Sequence, residues 1–274
     1  MDITPRFPGG APSQPSFAAL SRRDCVLILT CVALVTALAW AYLIHLDREM
    51  SSSMEYGMQM AAMGMTMNKP WTAADIFFTF AMWAVMMVGM MAGTVVPMLL
   101  LFAGTQAGRG ERGGAPGILI FGLGYFTVWI GFSALAALAQ WGLHGAAMLS
   151  PAMKTSSPGL AGVILLAAGA YQLTPWKGRC LTHCRSPLGF LMTNWREGKL
   201  GAIQMGVHHG AYCLGCCWAL MCVLFVVGVM NLVWVAALTA LVMIEKIGPA
   251  GAIVARIVGA VIVVRGLFLI AAIH

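Results

Sequence analysis

Ile76-Phe-Phe-Thr-Phe-Ala-Met-Trp-Ala-Val-Met-Met-Val-Gly-Met-Met-Ala-Gly-Thr-Val-Val-Pro-Met-Leu-Leu-Leu-Phe102 decides the fold, because this whole stretch carries no charged side chain. Roughly 20 apolar residues reach across the hydrocarbon of a bilayer. Inside lipid the backbone must satisfy its own hydrogen bonds, so such a stretch becomes a helix. Pro97 marks a kink within it. Working outward, six more apolar stretches have comparable character: Cys25–Ile44, Gly117–Leu138, Pro158–Leu173, Leu200–Val227, Leu232–Ile247 and Gly251–Ile273. The expected fold class is therefore all-α, a polytopic transmembrane helical bundle of about seven spans.

Composition agrees. The chain is 60% hydrophobic and 9% charged, against about 25% charged in a typical soluble domain. The net charge of +7 does not gather on one accessible basic face, which affinity for phosphates requires. Nucleic acid is thus excluded as a partner, and the basic residues read as topology signals. Arg6, Arg22 and Arg23 place the N-terminus in the cytoplasm, with the Arg109–Arg112 loop and the basic 174–199 loop on the same side. Residues 1–21, rich in Pro, Gly and Ser, read as a disordered cytoplasmic tail. Residues 22–274 form the membrane domain, and Cys25–Ile44 is an uncleaved span, since no small-x-small cleavage site follows it. The acidic 45–75 loop falls outside, and Ser186–Trp195 reads as a short interfacial helix.

Chemistry concentrates in the fifth span. At 100° per helical residue, Met205, His209, Cys213 and Cys216 share an arc of about 80°, and Cys217 lies about 40° beyond it. All are soft or borderline metal ligands, and His208 adjoins them. Met205 and Cys216 are roughly 16 Å apart along the axis, so one ion cannot touch both. A local site of Cys213 with Cys216 or Cys217, capped by His209, is geometrically consistent, because helical side chains three or four apart meet. Cys25, Cys31 and Cys222 read instead as small buried hydrophobes. A second cluster, Cys180, His183 and Cys184, lies in the cytoplasmic loop. It either folds back onto the fifth span or holds an ion of its own.

Methionine gives a third signal. Of 21 methionines, 13 fall between Met50 and Met98. The outer loop holds Met54, Met58, Met60, Met63, Met65 and Met67, where thioethers fill no core. Met82, Met86 and Met90 follow at i, i+4 and i+8 in the second span, which reads either as core filling or as a ligand stripe. Thioether sulfur selects Cu(I). Gly89 with Gly93 and Gly206 with Gly210 form G-x-x-x-G pairs, from which the second and fifth spans are expected to touch. Glu245 is expected to pair with Arg256.

The stretch Tyr171-Gln-Leu-Thr-Pro-Trp-Lys-Gly-Arg-Cys-Leu-Thr-His-Cys-Arg-Ser-Pro-Leu-Gly-Phe190, followed by Gly206-Val-His-His-Gly-Ala-Tyr-Cys-Leu-Gly-Cys-Cys-Trp-Ala-Leu-Met221, resembles a bacterial family of predicted metal-binding integral membrane proteins. Met82, Trp83, Met86, Met87, Met90, Met91 and Pro97 are similar to that family too, and the resemblance covers about Ala74 to Ile270. It implies a metal and a membrane and leaves the reaction open. The leading expectation is a protein that binds Cu(I), with zinc or iron as alternatives, and moves it or delivers it to a metallochaperone or a membrane enzyme complex. The rival is a metal-dependent membrane oxidoreductase, or an assembly partner of one. No haem-attachment C-x-x-C-H, Rossmann or P-loop fingerprint is present in the sequence.

Overall fold

The structure is a computed structural model that describes residues 20–62, 71–108, 114–146, 148 and 155–272. Outside the described residues lie the tail through Ala19, Met63, Met65, Met67, the Arg109–Arg112 loop and Lys154, as do the side chains of Met54, Met58 and Met60. The described chain is all-α: α1 (Arg22–Ala62), α2 (Ala73–Gly108), α3 (Gly114–Gly145), α4 (Pro158–Leu173), α5 (Pro175–Arg185), α6 (Pro187–Asn194), α7 (Gly198–Cys222), α8 (Leu224–Val227), α9 (Leu232–Ile247) and α10 (Gly251–Ala271).

Local sequence sets the breaks. Ser157 caps α4, its hydroxyl accepting from the Leu160 amide, with Pro158 at the first helical position. Thr174 does the same for α5 ahead of Pro175. Proline has no amide to continue the preceding helix, so the chain bends by 61° between α4 and α5. Gly228, at φ 106°, closes α8 in a conformation that side chains with a Cβ avoid. Pro97 is absorbed within α2, which continues to Gly108.

The expectation of an all-α bundle is met, while the count of seven spans is not reached. Among the described residues five helices are long and apolar enough to cross a membrane, and the bent pair α4–α5 raises this to six if it counts as one span. The run Leu232–Ile247 is a helix, α9, yet its 16 residues extend only about 24 Å, short of the roughly 30 Å of hydrocarbon. The 174–199 segment is also more ordered than a loop, because it folds into α5 and α6, the latter within the interfacial segment expected at Ser186–Trp195.

At the centre stands α2. Trp83, Met86, Met87, Met90 and Met91 are all buried, with Met82 beside them. Trp83 Nε1 donates to Gln140 Oε1 of α3 at 2.7 Å. The outer surface is apolar, with Leu119, Leu123 and Leu135 of α3 and Ile253, Ile257 and Phe268 of α10 exposed. That surface suits lipid rather than water.

Glycines set the helix pairing, but not the pairing expected. Gly206 and Gly210 press on the α3 backbone at Phe121 and Tyr125, while Gly89 faces Ala39 of α1 and Gly93 faces Met243 of α9. The two G-x-x-x-G pairs therefore do not meet each other. Each brings its helix close to a different neighbour, since missing Cβ atoms permit close approach wherever a backbone lies opposite.

Candidate metal centre

α5 folds back along α7, and this carries Cys184 to the fifth-span cysteines. Cys184 Sγ lies 4.0 Å from Cys216 Sγ. Of the two arrangements open in the sequence, folding back onto the fifth span is the one observed for Cys184. Cys213, Cys216 and Cys217 are all buried, on the inward face of α7. The thiols of Cys216 and Cys217 donate to the Cys213 carbonyl at 3.1 and 2.9 Å. These bonds follow from the i, i+3 and i, i+4 spacing, which aims each side chain at the preceding turn.

Cys213 Sγ turns another way. Tyr125 Oη of α3 lies 2.9 Å from it and Lys246 Nζ of α9 lies 2.7 Å from it. Tyr125 Oη also reaches Thr94 Oγ1 at 3.2 Å, and Lys246 Nζ reaches Thr94 Oγ1 at 3.5 Å and Met91 Sδ at 4.0 Å. Helices α3, α7 and α9 thus meet at one sulfur, and α2 joins them through Thr94 and Met91.

His209, one turn before Cys213, is 4% exposed, and among the described residues its Nδ1 has no hydrogen-bond partner. Its ring is enclosed by Phe121, Tyr125 and Phe190, with centroids 6.2, 5.9 and 5.3 Å away. A buried imidazole nitrogen without a partner carries a desolvation penalty that nothing offsets. It is a donor available to a ligand.

The remaining sequence candidates are distributed around this core. His183 leaves its neighbour Cys184: it is exposed, stacks on Tyr212 at 4.4 Å, and places Nδ1 2.9 Å from the Arg179 carbonyl oxygen. His208 is exposed as well and stacks on the same Tyr212 at 4.9 Å. Cys180 is half-buried and lies over Gly215, where an added Cβ would come within 2.9 Å of its sulfur. Met205 is buried at the edge of a groove shared with His208, Gln204 and Arg196. Met82, Met86 and Met90 are buried in the core of α2, and the thioether that reaches this cluster is that of Met91, one position on, 4.0 Å from Lys246 Nζ. Among the described residues no group of three or more His, Cys, Asp or Glu side chains is arranged to hold a metal ion. The convergence is a pair of sulfurs, with a third sulfur facing a lysine.

Next to the sulfurs lies a second buried polar cluster. Lys177 of α5 pairs with Glu245 Oε2 of α9 at 2.5 Å and also donates to Gln172 Oε1. Gln172 Nε2 donates to Glu245 Oε1 at 3.0 Å, and Arg185 Nη1 donates to the Glu245 carbonyl at 2.7 Å. The partner of Glu245 is therefore Lys177, in place of the expected Arg256, because α5 folds inward and offers a lysine at the right height. Lys246, Tyr125, Met91 and Thr94 escaped the sequence reading of the site. Two of them carried a signal, Met91 as a member of the second-span methionines and Lys246 as a lysine closing an apolar run.

These features define an all-α bundle with several helices fit to cross a membrane and a buried nest of soft donors between them. Residues 80–269 match the PpoB2 family, described as copper chaperones, and the chain belongs to that family. The match lies within the Ala74–Ile270 segment that resembled a metal-binding membrane family. No curated protein and no solved structure matches the chain.

Proposed function

We propose that this protein is a membrane-embedded carrier that binds Cu(I) through Cys216 and Cys184 and delivers it to a partner protein. The observation that carries this reading is the 4.0 Å separation of Cys184 Sγ and Cys216 Sγ, brought together from two helices. Two thiolates on opposite sides of one ion stand about twice a metal–sulfur bond of roughly 2.3 Å apart. The pair therefore needs only small adjustment to bridge an ion. Thiolate donors suit soft ions such as Cu(I) and Zn(II), and a thioether close by favours Cu(I). Cys213, Cys217, Met91 and the free Nδ1 of His209 supply further soft or borderline donors nearby, through which an ion can pass by ligand exchange without a redox step. His183 and His208 are exposed on α5 and α7 and Cys180 is half-buried against Gly215, a set suited to an exit towards a cytoplasmic acceptor in the orientation that the basic residues indicate. The family description favours delivery over the rival oxidoreductase reading. The methionines of the 45–75 segment would gather the ion on the other side of a bacterial inner membrane.

The test is the copper content of the purified, reduced full chain after loading with Cu(I). Cys216→Ser and Cys184→Ser should each lose most of the bound copper, while Cys25→Ser and Cys31→Ser should keep it. Serine keeps the volume and removes the soft donor. Full occupancy in Cys216→Ser would sink the assignment. Transfer from the loaded protein to a soluble copper acceptor supports delivery, whereas copper flux into sealed proteoliposomes without an acceptor would replace it with transport.

A further inference from the structure

Met205 of α7 is only 2% exposed, yet it lines a groove of about 540 Å³ that opens beside that helix. Asn194, Arg196, Gln204 and His208 give the groove a polar rim, and Ala211 forms part of its wall. The volume falls within the roughly 300–1,000 Å³ of pockets that admit small ligands. Arg196 Nη1 donates to Gln204 Oε1 at 2.7 Å, which ties two of the rim side chains to each other. Of the outward candidates Cys180, His183 and His208, His208 is the one that lines the groove.

From the groove floor the inward face of α7 leads to the sulfurs. Met205, His209 and Cys213 follow at i, i+4 and i+8, with Cys216 beside Cys213, and all four are buried. At 1.5 Å rise per residue each i, i+4 step is about 6 Å, and side chains at this spacing meet. His209 is the middle step, and its Nδ1 has no hydrogen-bond partner among the described residues. Packing alone does not account for that nitrogen. A hydrocarbon ring would fill the cage of Phe121, Tyr125 and Phe190 without the desolvation penalty. Phe190 of α6 stands 5.8 Å from the His208 ring and 5.3 Å from the His209 ring. One side chain thus touches both the groove rim and the buried imidazole.

We propose that this groove is the port through which Cu(I) reaches and leaves the Cys184–Cys216 pair, with Met205 and His209 as the transit ligands between. The inference rests on the Cu(I) reading above. Thioether, imidazole and thiolate all bind copper, so the ion moves from donor to donor with its charge unchanged. The soft donor atoms of an acceptor meet the ion beside His208 and need not enter the core.

The experiment loads the reduced full chain with Cu(I), measures the bound copper, and follows transfer to a chromophoric Cu(I) chelator by stopped flow. Met205→Leu keeps the volume and His209→Phe keeps the ring, while each removes the donor. Both should retain their copper and transfer it at least about ten-fold more slowly, because one longer jump replaces two short ones and raises the barrier. Ala211→Trp, at an exposed position, should fill the groove and slow transfer as well, and it keeps the test open should a core variant fail to fold. Met230→Leu, buried but outside the groove, should transfer at the wild-type rate. A wild-type rate in any of the first three variants, or equal slowing in Met230→Leu, overturns the proposal while leaving the copper pair standing. Loss of bound copper in Met205→Leu or His209→Phe overturns it too, since that residue would then be a resident ligand. A wild-type chain that takes up no Cu(I) overturns both this proposal and the function on which it rests.

Discussion

At the scale of single residues, the buried charges separate into two kinds. Lys177 and Glu245 satisfy each other at 1% and 2% side-chain exposure. Removing one partner of such a pair leaves the other uncompensated, at a cost of about 3–5 kcal/mol. Lys177→Met should therefore lower the melting temperature sharply in detergent, and the double replacement Lys177→Met with Glu245→Leu should recover most of it. A double variant as unstable as the single one would show that the pair does not act as a unit. Cys213→Ser probes the other kind of charge. It should release more metal than Cys25→Ser, because its sulfur is held by Tyr125 of α3 and Lys246 of α9, both of which also reach α2. The helical arc of Cys213 and Cys216 was legible in the sequence, since it needs only the period of one helix. The approach of Cys184, the lysine at Cys213 and the outward turn of His183 were not. They depend on how α5 folds against α7, and no local pattern encodes that angle.

At the scale of elements, glycine chemistry was visible in the sequence but its partners were not. Four glycines in two G-x-x-x-G motifs suggested a contact between the second and fifth spans, and the structure spends them on α1, α3 and α9 instead. A small residue marks where a backbone comes close without saying whose backbone it is. α3 and α7 are joined through Gly206, where an added Cβ would collide with the Phe121 carbonyl oxygen. Gly206→Ala should destabilise the protein by about 1–3 kcal/mol through overpacking. Gly122→Ala, on the same α3 but with nothing within 4 Å, should be neutral or stabilising. Thermal unfolding of both variants in detergent decides this, and equal effects would contradict the close α3–α7 contact. Helix boundaries were more readable than helix partners. The expected bounds Pro158–Leu173 and Leu232–Ile247 are those of α4 and α9, which Ser157 and Asn231 cap, whereas α5, capped by Thr174, reads as loop in the sequence.

At the scale of the whole molecule, apolar composition revealed an all-α architecture, but the number of crossings depends on how α4–α5 and α9 sit. Hydropathy reports length and composition. It does not register a 61° bend or a helix too short to cross. Side assignment can be checked directly. In a cysteine-free background, Thr72→Cys should label from outside the cell and Met192→Cys only from inside, as the basic residues direct. Both positions are exposed in the fold. Labelling of both from one face would reverse the orientation of either α1–α2 or α5–α6.

The inward fold of α5 also sets a clock. Cys184 rides on that short helix, and the same helix is fastened to α9 by Lys177 and Arg185. If an ion bridges Cys184 and Cys216, the bridge lasts only while the helix stays down, because opening those fastenings withdraws the second sulfur. The dwell time of the cargo then depends on a mechanical event at Lys177 and Arg185 as well as on the strength of the metal–sulfur bonds. A recipient protein that pries α5 loose would hasten hand-over without competing for the metal.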